Sequence, residues 1–198
     1  MGRPSLESMI QKSLPDERVN PGELHINLMK LPWSDVFTTN YDTLLERASI
    51  EANRYYHKVT NKATLLYTPR PRLIKLHGSF PDIRPFIITE EDYRTYPNIY
   101  PEFVNTVRQS LIENCLCLIG FSGDDPNFLS WIGWLRDVMG KQAAPVYQIT
   151  YNLQMHESNI RLCRDLGIDV INLADIKGVR GFAEALDFFL TYIEKKFE

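Results

Sequence analysis

Cysteine is scarce in this chain: Cys115, Cys117 and Cys163 are all that its 198 residues contain. An odd number, with the first two inside one apolar run, offers neither a disulfide framework nor a ligand set, and fits a reducing compartment. Long apolar runs are missing too. No stretch approaches the roughly 18 consecutive apolar residues of a membrane helix, and the opening MGRPSLESMIQ has no apolar segment of a secretory signal, so the expectation is a soluble cytoplasmic protein. Nor is there an excess of positive charge. With 22 Lys+Arg against 25 Asp+Glu, a net charge of -3, no overall basic field draws the chain to nucleic acid or anionic lipid.

Glycine is rare where a nucleotide-binding fold would want it. A doubly wound sheet opens with a strand and a Gly-rich turn against the phosphates, yet the first 33 residues hold only Gly2 and Gly22. The chain starts instead with two amphipathic stretches, Leu6 to Leu14 and Glu23 to Leu31, with helical spacing. We therefore expect a single domain over residues 1–198 that lacks the usual opening strand, either truncated at its N-terminus or a degenerate version of the fold.

What is present is an ordinary globular composition, 44% hydrophobic and 24% charged, long enough to bury its own core. Short β-branched or apolar runs alternate with longer helical patterns, the signature of βα units and a mainly parallel sheet. Strands are expected at Asp35 to Thr38, Tyr55 to Val59, Leu73 to Leu76, Cys115 to Ile119, Val146 to Thr150 and Ile168 to Ile171. Helices are expected to begin near Asp42, Thr89, Tyr100, Asp125, Met155 and Val179. In DDPNFLSWIGWLRDVMG, Asp125 can cap, Pro126 suits the first turn and Gly140 can end the helix in a left-handed conformation. Thr89 with Asp92 makes a variant capping box for a short helix that Pro97 ends, and Thr68 to Arg72 reads as a loop.

The chemistry follows the apolar runs. After Val36 comes Thr38-Thr39-Asn40-Tyr41-Asp42; after Leu73 to Leu76 comes His77-Gly78-Ser79; after Cys115 to Ile119 comes Gly120-Phe121-Ser122-Gly123-Asp124-Asp125. In a parallel sheet all strand carboxyl ends face one way, so the clusters would share the rim where open α/β folds bind ligands. Each cluster also has an ordinary structural explanation. Asn40 and Asp42 can turn the chain and cap a helix, His77 can be a core histidine satisfied by a backbone carbonyl, and Gly120 to Asp125 can be a plain βα connection.

Other constellations fall away. Cys115 and Cys117, at i, i+2 on one strand face with no second pair nearby, do not make a zinc site. The GFSGD segment lacks the second glycine of a nucleophile elbow, because Asp124 stands where it is needed. Trp131, Trp134, Leu135 and Val138 recur at helical spacing, as core or an oligomer face does. The Arg70-Pro71-Arg72 and Lys195-Lys196 charges read as solvated.

FTTNYDTLLERA, IKLHGSF, ITEEDY and LCLIGFSGDDPNFLSWI, in that order over about residues 24 to 172, resemble the bacterial sirtuin-like domains of anti-phage defence systems that hydrolyse NAD. The resemblance implies a Rossmann-like, mainly parallel sheet with helices on both faces, and makes Asn40 and His77 the catalytic pair. Thr39 and Asp42 then line the NAD site, Asp42 addressing the nicotinamide amide, while Gly120, Ser122 and Asp125 approach ribose and phosphate. Sirtuin deacylases carry a four-cysteine zinc module between the second and third motifs, whereas residues 78 to 113 here contain no cysteine. Deacylation and zinc dependence thereby lose ground to hydrolysis. Cleaving the nicotinamide bond passes through an oxocarbenium-like transition state. Asn40 would offer neutral hydrogen bonds to ribose or water, and His77, an imidazole with an ordinary pKa of about 6.5, would act as general base. The expected partners are NAD and a second copy of the chain or domains and subunits outside it, with no nucleic acid and no membrane. A module that binds a nucleotide or assembles a complex without turnover is the alternative from a different class.

Overall fold

The apolar runs become strands, and each strand is followed by a connection that carries polar residues. The computed structural model describes residues 2–14, 16–79, 86–121 and 125–197, and these fall into two units, Met1–Thr89 with Leu190–Glu198, and Glu90–Phe189. All paired strands are parallel, and helices flank them, a mixed α/β, Rossmann-like architecture.

In the first unit, α1 (Arg3–Ser13) and α2 (Glu23–Lys30) precede β1 (Asp35–Thr38), followed by α3 (Leu44–Glu51), β2 (His57–Val59), α4 (Lys62–Tyr67) and β3 (Arg72–Lys75). The sheet order is β1-β3-β2, with Asp35 opposite Arg72 and Thr38 opposite Lys75. Parallel neighbours need crossover connections, and α3 and α4 supply them. Central β3 is covered on both faces, so Leu73, Ile74 and Lys75 are all buried. Met29, Ala48, Tyr56 and Leu73 form a core packed by Ile26, Trp33, Val36, Leu45 and Ala52. The sheet is pinned at its amino end: Arg72 donates from Nε and Nη2 to the Asp35 carboxylate at 2.7 and 2.9 Å, and Arg70 Nε adds a bond at 3.2 Å. Arg72 is therefore covered and paired with a buried carboxylate, against the solvated role expected for it, while Arg70 reaches the same carboxylate from an exposed position.

The second unit contains α5 (Glu90–Ile99), α6 (Pro101–Glu113), β4 (Leu116–Ile119), α7 (Pro126–Met139), β5 (Val146–Thr150), α8 (Glu157–Asp165), β6 (Ile168–Asn172) and the beginning of α9 (Phe182–Phe197). Its strands run in the order β4-β5-β6. Phe103, Val107 and Leu111 of α6 are buried, as are Trp131, Ile132 and Leu135 of α7. Val138 is exposed and Trp134 is half-covered, with the Arg108 guanidinium 4.9 Å from its ring centre. Asp125 caps α7 as expected, its Oδ1 accepting from the N–H of Asn127 at 2.9 Å and Phe128 at 3.1 Å.

Local expectations fail in instructive places. The six-residue α4 has no buried residue, so it leaves no hydrophobic period to read; it forms because Asn61 Oδ1 accepts from Thr64 N–H at 3.0 Å. Pro97 does not end α5, which continues to Ile99. The next turn is held by buried Tyr96, whose carbonyl accepts from Tyr100 N–H at 2.9 Å and whose ring packs on Tyr100 and Trp131. Gly140 has φ 52° but ψ -125°, so the chain leaves α7 by an extended step open to glycine rather than by the left-handed helical turn.

Candidate functional site

The register of β1 and β3 assembles the first two sequence clusters. Thr38 and Lys75 are opposite each other, and Leu76 N–H donates to the Thr38 carbonyl at 2.9 Å. Asn40 and His77 each lie two residues beyond that pair, on neighbouring strands that run roughly 4.8 Å apart. Both therefore sit at the carboxyl end of the first unit's sheet, with Thr39 and Asp42 beside Asn40.

Within this cluster the residues differ in setting. Asn40 is exposed, and its N–H donates to Thr38 Oγ1 at 3.1 Å, a hydroxyl turn that lifts the loop off the strand. His77 is only 3 % exposed, which corrects the expectation that it lies at an open rim; Gly78 after it has φ 104° and stands against Phe86, which is itself buried, as is Ile87. Asp42 takes the capping role, its Oδ1 accepting from Leu44 N–H at 3.0 Å at the start of α3.

One backbone segment ties the two clusters together. Ile87 N–H donates to the His77 carbonyl at 3.0 Å, and the Ile87 carbonyl accepts from Tyr41 Oη at 2.6 Å. Tyr41 also meets Phe86 edge-on, ring centres 5.1 Å apart. From the other side Asp16 receives both Thr43 donors, N–H and Oγ1, at 2.8 Å each, and Arg47 Nη2 donates to its carbonyl at 2.9 Å. Underneath lies Lys75, whose ammonium donates to the Asp42 carbonyl and stands 3.5 Å from Glu46 Oε1. Burial drives the Lys75 pKa below the ordinary lysine value, while the charges of Glu46 and Asp42 pull it back up.

Sequence reasoning passes over Asp16, Tyr41, Glu46 and Lys75. Lys75 alone left a signal, a lysine between Ile74 and Leu76 inside an apolar run. Asp16 left none, because its partners lie 27 and 31 residues away.

The third cluster belongs to the second unit. Gly120 follows β4 with φ 63°, a backbone state that glycine adopts without strain. It borders a cavity of about 390 Å³ lined also by Gln148, Thr150, Tyr151 and Phe182 at the carboxyl ends of β4 and β5. Asp125 is engaged by the α7 cap, and Ser122 lies outside the described residues. The structure thus brings Thr39, Asn40, Asp42 and His77 together in one unit and puts Gly120 and Asp125 at the equivalent strand end of the other. Among the described residues no three His, Cys, Asp or Glu side chains are grouped as a metal site, and no helix is long and apolar enough to cross a membrane.

Comparison with known proteins gives this arrangement a context. Residues 34–171 match the family described as the SIR2-like domain. Over 138 residues, 67% of this chain and 29% of the relative, the sequence is 32% identical to an NAD(+) hydrolase ThsA of Enterococcus faecium. It is 37% identical over 112 residues to an NAD(+) hydrolase ThsA of Acinetobacter baumannii, covering 54% of this chain and 23% of the relative. A defense-associated sirtuin 2 of Bacillus subtilis is 26% identical over 125 residues, 61% of this chain and 12% of its own length. The chain therefore spans less than a third of each of these relatives.

Proposed function

The chain belongs to the SIR2-like domain family, and from that membership we propose that it hydrolyses NAD to nicotinamide and ADP-ribose as an effector of bacterial anti-phage defence. The observation that carries the reading is the β1–β3 register, which sets Asn40 and His77 at the same step beyond paired strands. In this reading Asn40, exposed on its turn, hydrogen-bonds the ribose or the attacking water without imposing a charge. His77 takes the proton from that water, and its shielding from bulk solvent suits a base that acts on one bound molecule. Thr39 and Asp42 face the nicotinamide end, and Gly120, Ser122 and Asp125 serve ribose and phosphate across one sirtuin-like domain. The substrate is NAD, zinc has no part, and turnover is governed by a second copy or by domains and subunits beyond this chain. Three unpaired cysteines accord with a cytoplasmic setting.

A second reading has its own observation. Asp42 and Asp125 both accept from helix N–H groups, as they would in a module that binds a nucleotide or assembles a complex without turnover. Nicotinamide release by wild type, Asn40→Ala and His77→Gln decides between them. Release by wild type and its loss in both variants, with folded protein retained, supports hydrolysis; absence of release from wild type that still binds NAD in calorimetry supports the binding module.

A further inference from the structure

A lysine is buried in the central strand of the first unit. Lys75 is 1 % exposed, and it occupies a β3 position where a leucine would pack without desolvating a charge. Its counter-ion is unusual as well. Among the described residues both carboxylate oxygens of Glu46 are buried with no hydrogen-bond donor, and Oε1 faces two ammonium groups, Lys75 Nζ at 3.5 Å and Lys58 Nζ at 3.9 Å. The directed bond that Lys75 makes goes instead to the main-chain carbonyl of Asp42.

We propose that Lys75 is a positioning residue for the NAD site: it holds the Asn40–Asp42 loop over the end of β3 through the Asp42 carbonyl, and Glu46 keeps its charge in the interior. The proposal rests on the NAD-hydrolase reading for its catalytic consequence. Geometry explains why a lysine is used. Asp42 lies two residues before α3, its side chain is committed to Leu44 N–H, and its carbonyl accepts from the Lys75 ammonium. A long side chain with a terminal N–H donor, rising from the strand that also leads to His77, makes that bond. The same residue thus links the Asn40 loop to the strand that carries His77, and sets the spacing between the two.

The test separates positioning from simple stability. Lys75→Met strands the Glu46 carboxylate and should melt early, so the decisive protein is Lys75→Met with Glu46→Gln, which removes both charges together. It is expected to melt close to wild type while the kcat for nicotinamide release falls between about tenfold and a hundredfold, as displacement of a reacting group brings. Amide exchange in residues 40–44 should quicken by about tenfold with the core strands unchanged. A double variant that matches wild type in kcat and in exchange of that loop overturns the proposal. If wild type itself releases no nicotinamide, or Asn40→Ala turns over normally, the hydrolase reading fails, and the exchange measurement still decides whether Lys75 anchors the loop.

Discussion

Gly78→Ala is the sharpest probe of how His77 is held. Gly78 has φ 104°, where an L-residue's Cβ crowds its own backbone, at a cost of roughly 1–2 kcal/mol. A methyl group there would also come to 2.7 Å from Phe86 Cδ1. Forcing that ring aside in a packed region adds about 1–3 kcal/mol. A total near 3 kcal/mol lowers the melting temperature by roughly 6–12 °C for a chain of this size. The two components can be parted: Phe86→Leu in the Gly78→Ala background should relieve the clash and leave the backbone term, giving a favourable coupling of about 1 kcal/mol or more in a double-mutant cycle. Because Phe86 abuts Tyr41 and precedes Ile87, turnover should fall further than the loss of folded protein explains. Thermal melting and nicotinamide release on the same samples measure both effects. Wild-type melting of Gly78→Ala, or zero coupling with Phe86→Leu, would refute the reasoning.

Asn40→Ala, at an exposed position, should abolish nicotinamide release with a melting temperature within about 2 °C of wild type, whereas His77→Ala should lose release and also melt lower, as buried histidines do; adding the two changes should cost little more turnover than either. Asp16→Ala removes both acceptors of Thr43 and should cost about 2–3 kcal/mol in urea unfolding. Burial opposes ionisation of Asp35, but the bonds and charge of Arg72, with Arg70, hold its pKa below the usual carboxylate value. Its stabilisation is therefore complete above about pH 4 and is lost as pH falls through the lowered pKa, so the melting-temperature gap between wild type and Asp35→Asn should narrow below that point. Burial, with Cys115 beside it, raises the Cys117 thiol to about 11; iodoacetamide at pH 8 should label exposed Cys115 well before Cys117, read by peptide mass.

What could be read in advance follows from where the physics is local. Strands such as Val146–Thr150 and the α7 cap at Asp125 depend on neighbours within a few residues, and both stand where the residues indicate. That Asn40 and His77 lie at the same end of a sheet was accessible because parallel topology sends every strand end to one side; that β1 and β3 are direct neighbours was not, because strand order leaves no local signal. The burial of His77 was not, nor was the approach of Phe86 to Gly78, a contact that no periodicity encodes. Arg72 misled for the same reason: its partner Asp35 is 37 residues away, and an isolated arginine looks solvated until register brings a carboxylate opposite. Lys75 was visible as an oddity but not as a device, since its purpose lies in a main-chain carbonyl.

The clasp at Ile87 has a consequence for how such a site can drift through evolution. Both of its bonds are made by the main chain of residue 87, so any apolar side chain that fits this buried position keeps them, whereas proline, which has no N–H for the His77 carbonyl, cannot. Substitution tolerance at buried residue 87 should therefore extend over apolar residues of similar size in a deep mutational library, with proline and the charged residues excluded. Pairwise covariation would pass over the Ile87 end of the strap, because the atoms that do the fastening there are common to nineteen of the amino acids, and only the Tyr41 hydroxyl at the other end belongs to a side chain.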